Sequence, residues 1–326
     1  SGAINVNSGR LTQGEVVALY NYMTQILVEL VKLANLILNI TRSIACGNRI
    51  QDMLEVKSSM INGEKAFGEL SDGTAIEFKN VSMRYPGASD DSLRDISFNV
   101  EKGQSIGVIG GTGSGKSSLI NLIPRFYDTF SGEVILNGRN IKEYDTESLR
   151  EHIGMVPQRA VLFHGTIRDN MKWGKEDVSD EEIYEALEIA QAVDVVDGKE
   201  GKLSFLISQG GRNLSGGQKQ RLTIARALVR KPQILILDDS ASALDFATDR
   251  KLRSAIKDMK NAPTTFIVSQ RTSSIRFCDK IIVLDDGKLV GQGTHDELIK
   301  NCEVYKEIYE SQYGGNSAAG KEAVNE

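Results

Sequence analysis

Between positions 16 and 40 the chain reads VVALYNYMTQILVELVKLANLILNI, without a glycine or a proline. Within it Asn21, Gln25, Glu29, Lys32, Asn35 and Asn39 recur at steps of four, four, three, three and four. That period puts all six on one face of a helix and leaves the valines, leucines and isoleucines on the others. Such a helix would be about 37 Å long, against the roughly 30 Å of a bilayer core. Two structures fit the pattern. One is an amphipathic helix on a soluble domain or in a coiled coil. The other is a transmembrane helix whose polar stripe faces a cavity or other helices, because charge facing lipid is costly. Glu29 and Lys32, three apart, can pair there. Positions 41–56 remain helix-compatible, and SSMINGEKAFGELSDG then supplies loop residues. A domain boundary is expected near 60–74, with 1–60 on one side, 61–74 as linker and a second domain over 75–312.

From 75 onward the pattern changes to short apolar runs separated by helical stretches. SIGVIG (105–110), QILILD (233–238), TTFIVS (264–269) and KIIVLD (280–285) read as buried strands. Crossover helices between them predict an α/β domain built on a parallel sheet. The end of the chain, SQYGGNSAAGKEAVNE, lacks apolar periodicity, and 313–326 is expected to be a flexible tail. No internal repeat is visible.

Composition excludes some functions. With 39 Lys+Arg against 44 Asp+Glu the net charge is −5, the wrong sign for a nucleic-acid scaffold, so no nucleic acid partner is expected. Cys46, Cys278 and Cys302 lie far apart, and His152, His164 and His295 lack metal-ligand spacing. A disulfide framework and a zinc site are therefore not expected. Bulk numbers alone describe an acidic, cytosolic, globular protein, which the apolar segment 16–40 disputes.

Chemistry enters at the first strand. SIGVIG runs straight into Gly110, Gly111, Thr112, Gly113, Ser114, Gly115, Lys116 and Ser117, which fits GxxxxGK[ST] at every fixed position in a strand–loop–helix context. The glycines let backbone N–H groups turn toward phosphates at the positive end of the following helix. Lys116 would reach the β- and γ-phosphates of ATP, and the Ser117 hydroxyl would ligate Mg²⁺. The run of 234–237 buries a second strand and delivers Asp238 at its tip as the metal-orienting acid.

Between these motifs stands Leu214-Ser215-Gly216-Gly217-Gln218, opening a helix. Ser215 lies 23 positions before Asp238 (238 − 215), and Leu214 lies 98 after Lys116 (214 − 116). In that order the chain resembles the ATP-binding-cassette (ABC) ATPases over about residues 75–312. The resemblance implies a P-loop NTPase of ABC type: a mixed sheet core with helical and antiparallel β subdomains, here preceded by a long α-helix. It implies that Tyr85 in VSMRYPG stacks on adenine. It extends the nucleotide contacts to Ser118 and Gln218. Gln158 in MVPQ matches the Q-loop glutamine that joins Mg²⁺ and the attacking water to the membrane domain. Ser242-Ala243-Leu244-Asp245 matches the D-loop. The arrangement looks most like the half-transporter exporters, in which six membrane helices precede one cassette. Residues 16–40 would then be the last membrane helix, with the cassette on the cytoplasmic side of a cell membrane. The other five helices are missing, so the chain is expected to be a fragment. A soluble ABC ATPase of DNA maintenance or translation fits less well, since the roughly 120 residues between the two Walker motifs leave no room for a coiled coil. A regulatory ATP-binding module is the remaining alternative.

Two positions depart from the family pattern. After Asp238 the family usually carries Glu, which orients the attacking water; here it is Asp239, shorter by one methylene. After TTFIVS the family usually has His-Arg; here Gln270 precedes Arg271. Glutamine hydrogen-bonds but cannot become a cation. Together these predict a slow site: Asp239, Gln270 and Gln158 as the catalytic group of the degenerate half of a heterodimer. The partner would be a second half-transporter carrying Glu and His, the alternative being a homodimer with slow hydrolysis at both sites. In the family two cassettes dimerise head to tail, so that Ser215, Gly216, Gly217 and Gln218 would face the partner's nucleotide. The transported substrate cannot be read from these residues.

Overall fold

The computed structural model describes residues 2–56, 60–240 and 242–313. The chain divides into two units, 1–59 and 60–326. The tail expected over 313–326 lies outside the described residues apart from Tyr313, which closes a helix.

In the first unit a short helix, Gly2–Asn7, precedes one continuous helix, Gln13–Glu55. Its 43 residues make it about 65 Å long. Thr12 starts it with a capping box: its hydroxyl accepts from the Glu15 N–H, and the Glu15 carboxylate accepts from the Thr12 N–H at 2.8 Å. The helix is long and apolar enough to cross a membrane. Several of its polar side chains are satisfied within it. Lys32 pairs with Glu29 at 2.7 Å, and the hydroxyls of Thr24, Thr41 and Ser43 donate to the carbonyls four residues back. Helices are the form in which a backbone can enter hydrocarbon with every N–H paired.

The second unit is built on a six-stranded sheet in the order Lys288–Gly293, Lys280–Asp285, Ser105–Gly110, Thr264–Val268, Ile234–Asp238, Ile153–Val156. Five strands are parallel, and the edge strand Lys288–Gly293 runs antiparallel to its neighbour, so the sheet is mixed. Side chains alternate across a strand, so each apolar run feeds two cores. Ile106 and Val108 join one and Ile109 the other; Ile234 and Ile236 face Phe266 while Leu235 and Leu237 face Ile267. This double burial is why the runs are continuously apolar rather than alternating. A four-stranded antiparallel sheet (Leu93–Glu101, Thr74–Met83, Ser131–Leu136, Arg139–Asn140) shares the first core. The helices Ile167–Lys172, Asp180–Ile189 and Gly216–Leu228 fill the second. Mixed core, antiparallel sheet and helical layer are those of the expected fold class.

The stretch expected as a linker, 61–74, is fastened to this domain. Phe67 and Leu70 are buried in its core. Asn62 donates to Asp145, Lys65 pairs with Glu143 at 2.6 Å, and the Leu70 N–H donates to Gln233. Arg125, only 2% exposed, pairs with Asp128 and donates to the carbonyls of Ile61 and Lys142. A buried guanidinium needs such a full set of acceptors, and the strap supplies one of them. Glycine-rich, polar composition marked 61–74 as loop, but Phe67 and Leu70 were its packing anchors.

Candidate nucleotide site

Four parallel strands end on the same edge of the sheet, which is where ligands lodge in open α/β sheets. Register aligns them: Val268 lies opposite both Val108 and Asp238, and Val156 lies opposite Leu237. The chain therefore leaves those strands into the P-loop, Asp239, Gln270 and Gln158 side by side. Residues as far apart as Val108 and Val268, 160 positions (268 − 108), become neighbours for one topological reason.

The P-loop needs its glycines for space. A Cβ on Gly110 would stand 2.1 Å from the Leu284 carbonyl oxygen. Gly115 caps the helix Lys116–Leu122 at φ 95°, where a Cβ would meet the Ser92 oxygen at 2.8 Å. Within this turn Lys116 is 9% exposed and its Nζ donates to the carbonyls of Gly111 (2.6 Å) and Gly110 (3.0 Å), with the Ser114 hydroxyl at 3.4 Å. Burial lowers its pKa, and the charges of Asp238 and Asp239 oppose that shift.

The two carboxylates meet different partners. Asp238 Oδ2 accepts from the Ser117 hydroxyl at 3.5 Å. Asp239 Oδ2 accepts from the Gln158 amide at 3.4 Å, and its charge is balanced by Arg271 and Lys116. Burial raises the pKa of both, and the neighbouring charge of Asp239 raises Asp238 further. Asp239 also sits in left-handed backbone, φ 44°, with its N–H donating to the Val268 carbonyl at 2.9 Å. Asp tolerates that conformation better than most residues.

Ser117 and Asp238 offer a hydroxyl and one carboxylate, with the Gln158 amide close to the neighbouring Asp239. That hard-oxygen set suits Mg²⁺, which binds through few protein ligands plus substrate phosphates. Among the described residues no cluster of three His, Cys, Asp or Glu exists that would hold a metal by protein alone.

A pH prediction follows. Raised folded-state values mean that the folded chain holds these protons to higher pH than the unfolded chain does. Their ionisation therefore costs stability above the folded pKa, and acidification through it relieves that cost. Metal-nucleotide binding runs the opposite way, because it needs the ionised acid. Affinity for Mg·ATP is expected to fall as pH drops, beginning above the usual carboxylate range, and Asp238→Asn to flatten that dependence. Titration calorimetry across pH reads both.

Tyr85 lies beside the loop: its hydroxyl shares a 2.9 Å hydrogen bond with Ser118, and its ring meets Tyr127 edge-on at 5.0 Å. The remaining expected contacts are elsewhere. Ser215 caps the helix Gly216–Leu228, its hydroxyl accepting from the Gln218 N–H while the Gln218 side chain accepts from the Ser215 N–H at 3.0 Å. No hydrogen bond among the described residues joins this turn to the P-loop. The N–H groups of Gly216 and Gly217 also have no acceptor among the described residues, so a helix N-terminus there presents two donors.

Sequence reading missed two contributors. Arg271 was noted only as the residue beside Gln270, yet its charge acts on Asp239. Gln312 donates to the Gln270 carbonyl at 2.7 Å. Nothing in a sequence flags Gln312, which is 42 positions away.

Comparison with known proteins agrees with this geometry. The profile of one family, described as ABC transporter, matches residues 93–242. An uncharacterized ABC transporter ATP-binding protein of Bacillus subtilis, YfiB, is 43% identical over 316 residues, covering 96% of this chain and 54% of that protein. An ATP-dependent lipid A-core flippase of Photobacterium profundum is 36% identical over 305 residues, covering 93% and 52%. A solved structure of a bacterial Atm1-family ABC exporter with ATP bound superposes with a TM-score of 0.78 at 31% identity, covering 95% of this chain and 54% of that one. The chain spans about half the length of the curated relatives it matches.

Proposed function

The chain carries an ATP-binding domain of the ABC transporter family, and on that premise we propose that it is the ATP-hydrolysing part of a membrane exporter subunit. The observation that carries this reading is the convergence of Lys116, Ser117, Asp238, Asp239 and Gln158 on one sheet edge, with the signature turn of Ser215 built apart from it. A site divided in this way is completed by a second cassette facing the first, each P-loop opposite the other's signature turn.

Within that site the residues divide the work. The P-loop N–H groups and Lys116 bind the phosphates, and Tyr85 supports the adenine while Ser118 holds its hydroxyl. Mg²⁺, when held by Ser117, Asp238 and Gln158, would offset charge on the β- and γ-phosphate oxygens. Asp239 accepts a hydrogen bond from the attacking water, and Gln270 donates one toward the γ-phosphate. Asp239 reaches less far than Glu, and Gln270 carries no charge. The chain's own site is therefore slow, and its signature turn completes a faster one on a different half-transporter that carries Glu and His.

The helix Gln13–Glu55 would place the chain at a membrane, with the cassette on the cytoplasmic side, and the paired cassettes would turn closure on ATP into movement of the membrane helices. The names of two relatives, a lipid A-core flippase and an Atm1-family exporter, support the transport part of this reading.

The pair tests it. Purified with its partner half, this chain is expected to support turnover that Ser215→Arg here reduces by roughly 10²-fold, as for loss of a donor set at a transition state. The same change in the partner's signature turn should cost far less. Equal losses from both would mean two equivalent sites, and no loss from either would mean that the cassettes do not share nucleotides.

A further inference from the structure

Gln270 is the middle residue of a three-residue link, Ser269 to Arg271, between the strand Thr264–Val268 and the short helix Thr272–Ile275. Its side chain is exposed and makes no hydrogen bond among the described residues. Its direction thus depends on the backbone beneath it. That backbone is pinned on one side within the core: the Ser269 N–H donates to the Val108 carbonyl at 3.1 Å, and the Ser269 hydroxyl accepts from the Arg271 N–H at 3.0 Å. On the other side the short helix has no side-chain cap of its own, since Arg271 occupies the cap position.

The missing cap comes from the last helix, Glu303–Tyr313. Gln312 Oε1 accepts from both the N–H and the hydroxyl of Thr272, each at 2.9 Å, and Gln312 Nε2 donates to the Gln270 carbonyl at 2.7 Å. One amide therefore uses its two ends on the link at Gln270 and on the first residue of the helix that follows it. Thr272 is fully buried, so its donors have few other acceptors. The helix bearing Gln312 is itself anchored. Tyr305 is fully buried with its hydroxyl 2.8 Å from His295 Nδ1, Tyr309 packs on the His295 ring at 5.4 Å, and Tyr313 packs on Tyr309 at 4.7 Å.

We propose that Gln312 is a positioning residue for Gln270: the C-terminal helix sets where the Gln270 side chain meets the γ-phosphate, and so sets the hydrolysis rate of this chain's own site. This rests on the ATPase reading above. The acceptor end of the amide caps the short helix, and the donor end holds the peptide from which Gln270 springs. Losing the donor end alone leaves the cap intact and frees the carbonyl to turn.

That asymmetry makes the experiment. In the full chain, Gln312→Ala removes both ends, while Gln312→Glu keeps an acceptor for Thr272 and sets a carboxylate oxygen against the Gln270 carbonyl. Hydrogen exchange over 269–276 and ATP hydrolysis are measured on each. Gln312→Ala is expected to speed exchange at Thr272 and to lower kcat about tenfold, a fraction of the roughly 10²-fold that misplacement by 1 Å can cost, with KM within about twofold. Gln312→Glu is expected to keep Thr272 protected yet lose rate to a similar extent, a split that a purely structural cap would not produce. A Glu variant at full rate, or an Ala variant with unchanged Thr272 exchange, overturns the proposal. If instead the unsubstituted chain shows no hydrolysis that Lys116→Ala removes, it is the ATPase reading that fails. That result differs from hydrolysis that is present and indifferent to residue 312.

Discussion

Asp239→Glu and Gln270→His together are expected to raise the ATP turnover of this chain by about 10²-fold, the scale on which a misplacement near 1 Å slows a reaction. The added methylene brings the carboxylate forward to the attacking water, and the imidazole adds a group that can carry charge toward the γ-phosphate. Each change alone is expected to do less, because the acid and its neighbour act on one water and such pairs are non-additive. The backbone sets a counter-cost. Asp239 lies at φ 44°, and the longer Glu is less at home there, so a loss of roughly 1 kcal/mol in stability should accompany the gain. Steady-state hydrolysis and thermal melts, each with single and double variants, check both halves. Several turnovers per second from the unsubstituted chain alone would show that Asp239 and Gln270 already make a competent site, and the slow-site reading would be abandoned.

Lys116→Ala should produce the opposite extreme. Lys116 is the one cation held inside the P-loop turn among the described residues, 9% exposed and bonded to the Gly110 and Gly111 carbonyls. Its ammonium is already short of water, which is why burial lowers its pKa, and in the proposed site phosphate oxygens would replace carbonyl oxygens as its partners. Without it, the carboxylates of Asp238 and Asp239 face the phosphates with less compensating charge. Hydrolysis is expected to fall by at least about 10²–10³-fold, the range found when a transition-state donor is removed. The stabilisation that saturating ATP confers, about 2.7 kcal/mol at a hundredfold excess over Kd, should largely disappear from a melting curve. A variant that keeps the ATP-dependent shift would mean that backbone N–H groups alone hold the nucleotide.

Much of the site was legible because its chemistry is local. The P-loop is a turn of eight consecutive residues, and the phosphate binding proposed for it rests on N–H groups and one lysine that adjacency alone places. Asp238 was legible for a different reason: ILILD is apolar on both faces, so its strand is buried and its first charged residue must emerge at the end. The capping box of Ser215 and Gln218 spans three positions and is equally local. Tyr85 and Gln158 needed resemblance, since neither a lone aromatic nor a lone glutamine marks a site by spacing.

The rest was not legible, for reasons of distance. Gln312 reaches Gln270 only because the last helix folds back beside the link. Arg125 gathers the Ile61 carbonyl from 64 positions away, so a stretch with loop composition becomes a strap of the domain. The left-handed backbone of Asp239 accompanies an N–H bond to the Val268 carbonyl of the adjacent strand; Asp tolerates that conformation, but its tolerance does not name the partner.

By itself, then, the amino-acid order determined the long helix, the buried strands, the glycine-rich turn around Lys116 and the acids at the tip of a buried strand, because each rests on periodicity or on neighbours within a few bonds. Only the tertiary structure decided which strand ends lie together, that the P-loop and the signature turn lie apart, and that the C-terminal helix reaches the Gln270 link. Those depend on sheet order and on hydrogen bonds closed over tens of residues, whose partners are chosen by packing rather than by sequence proximity.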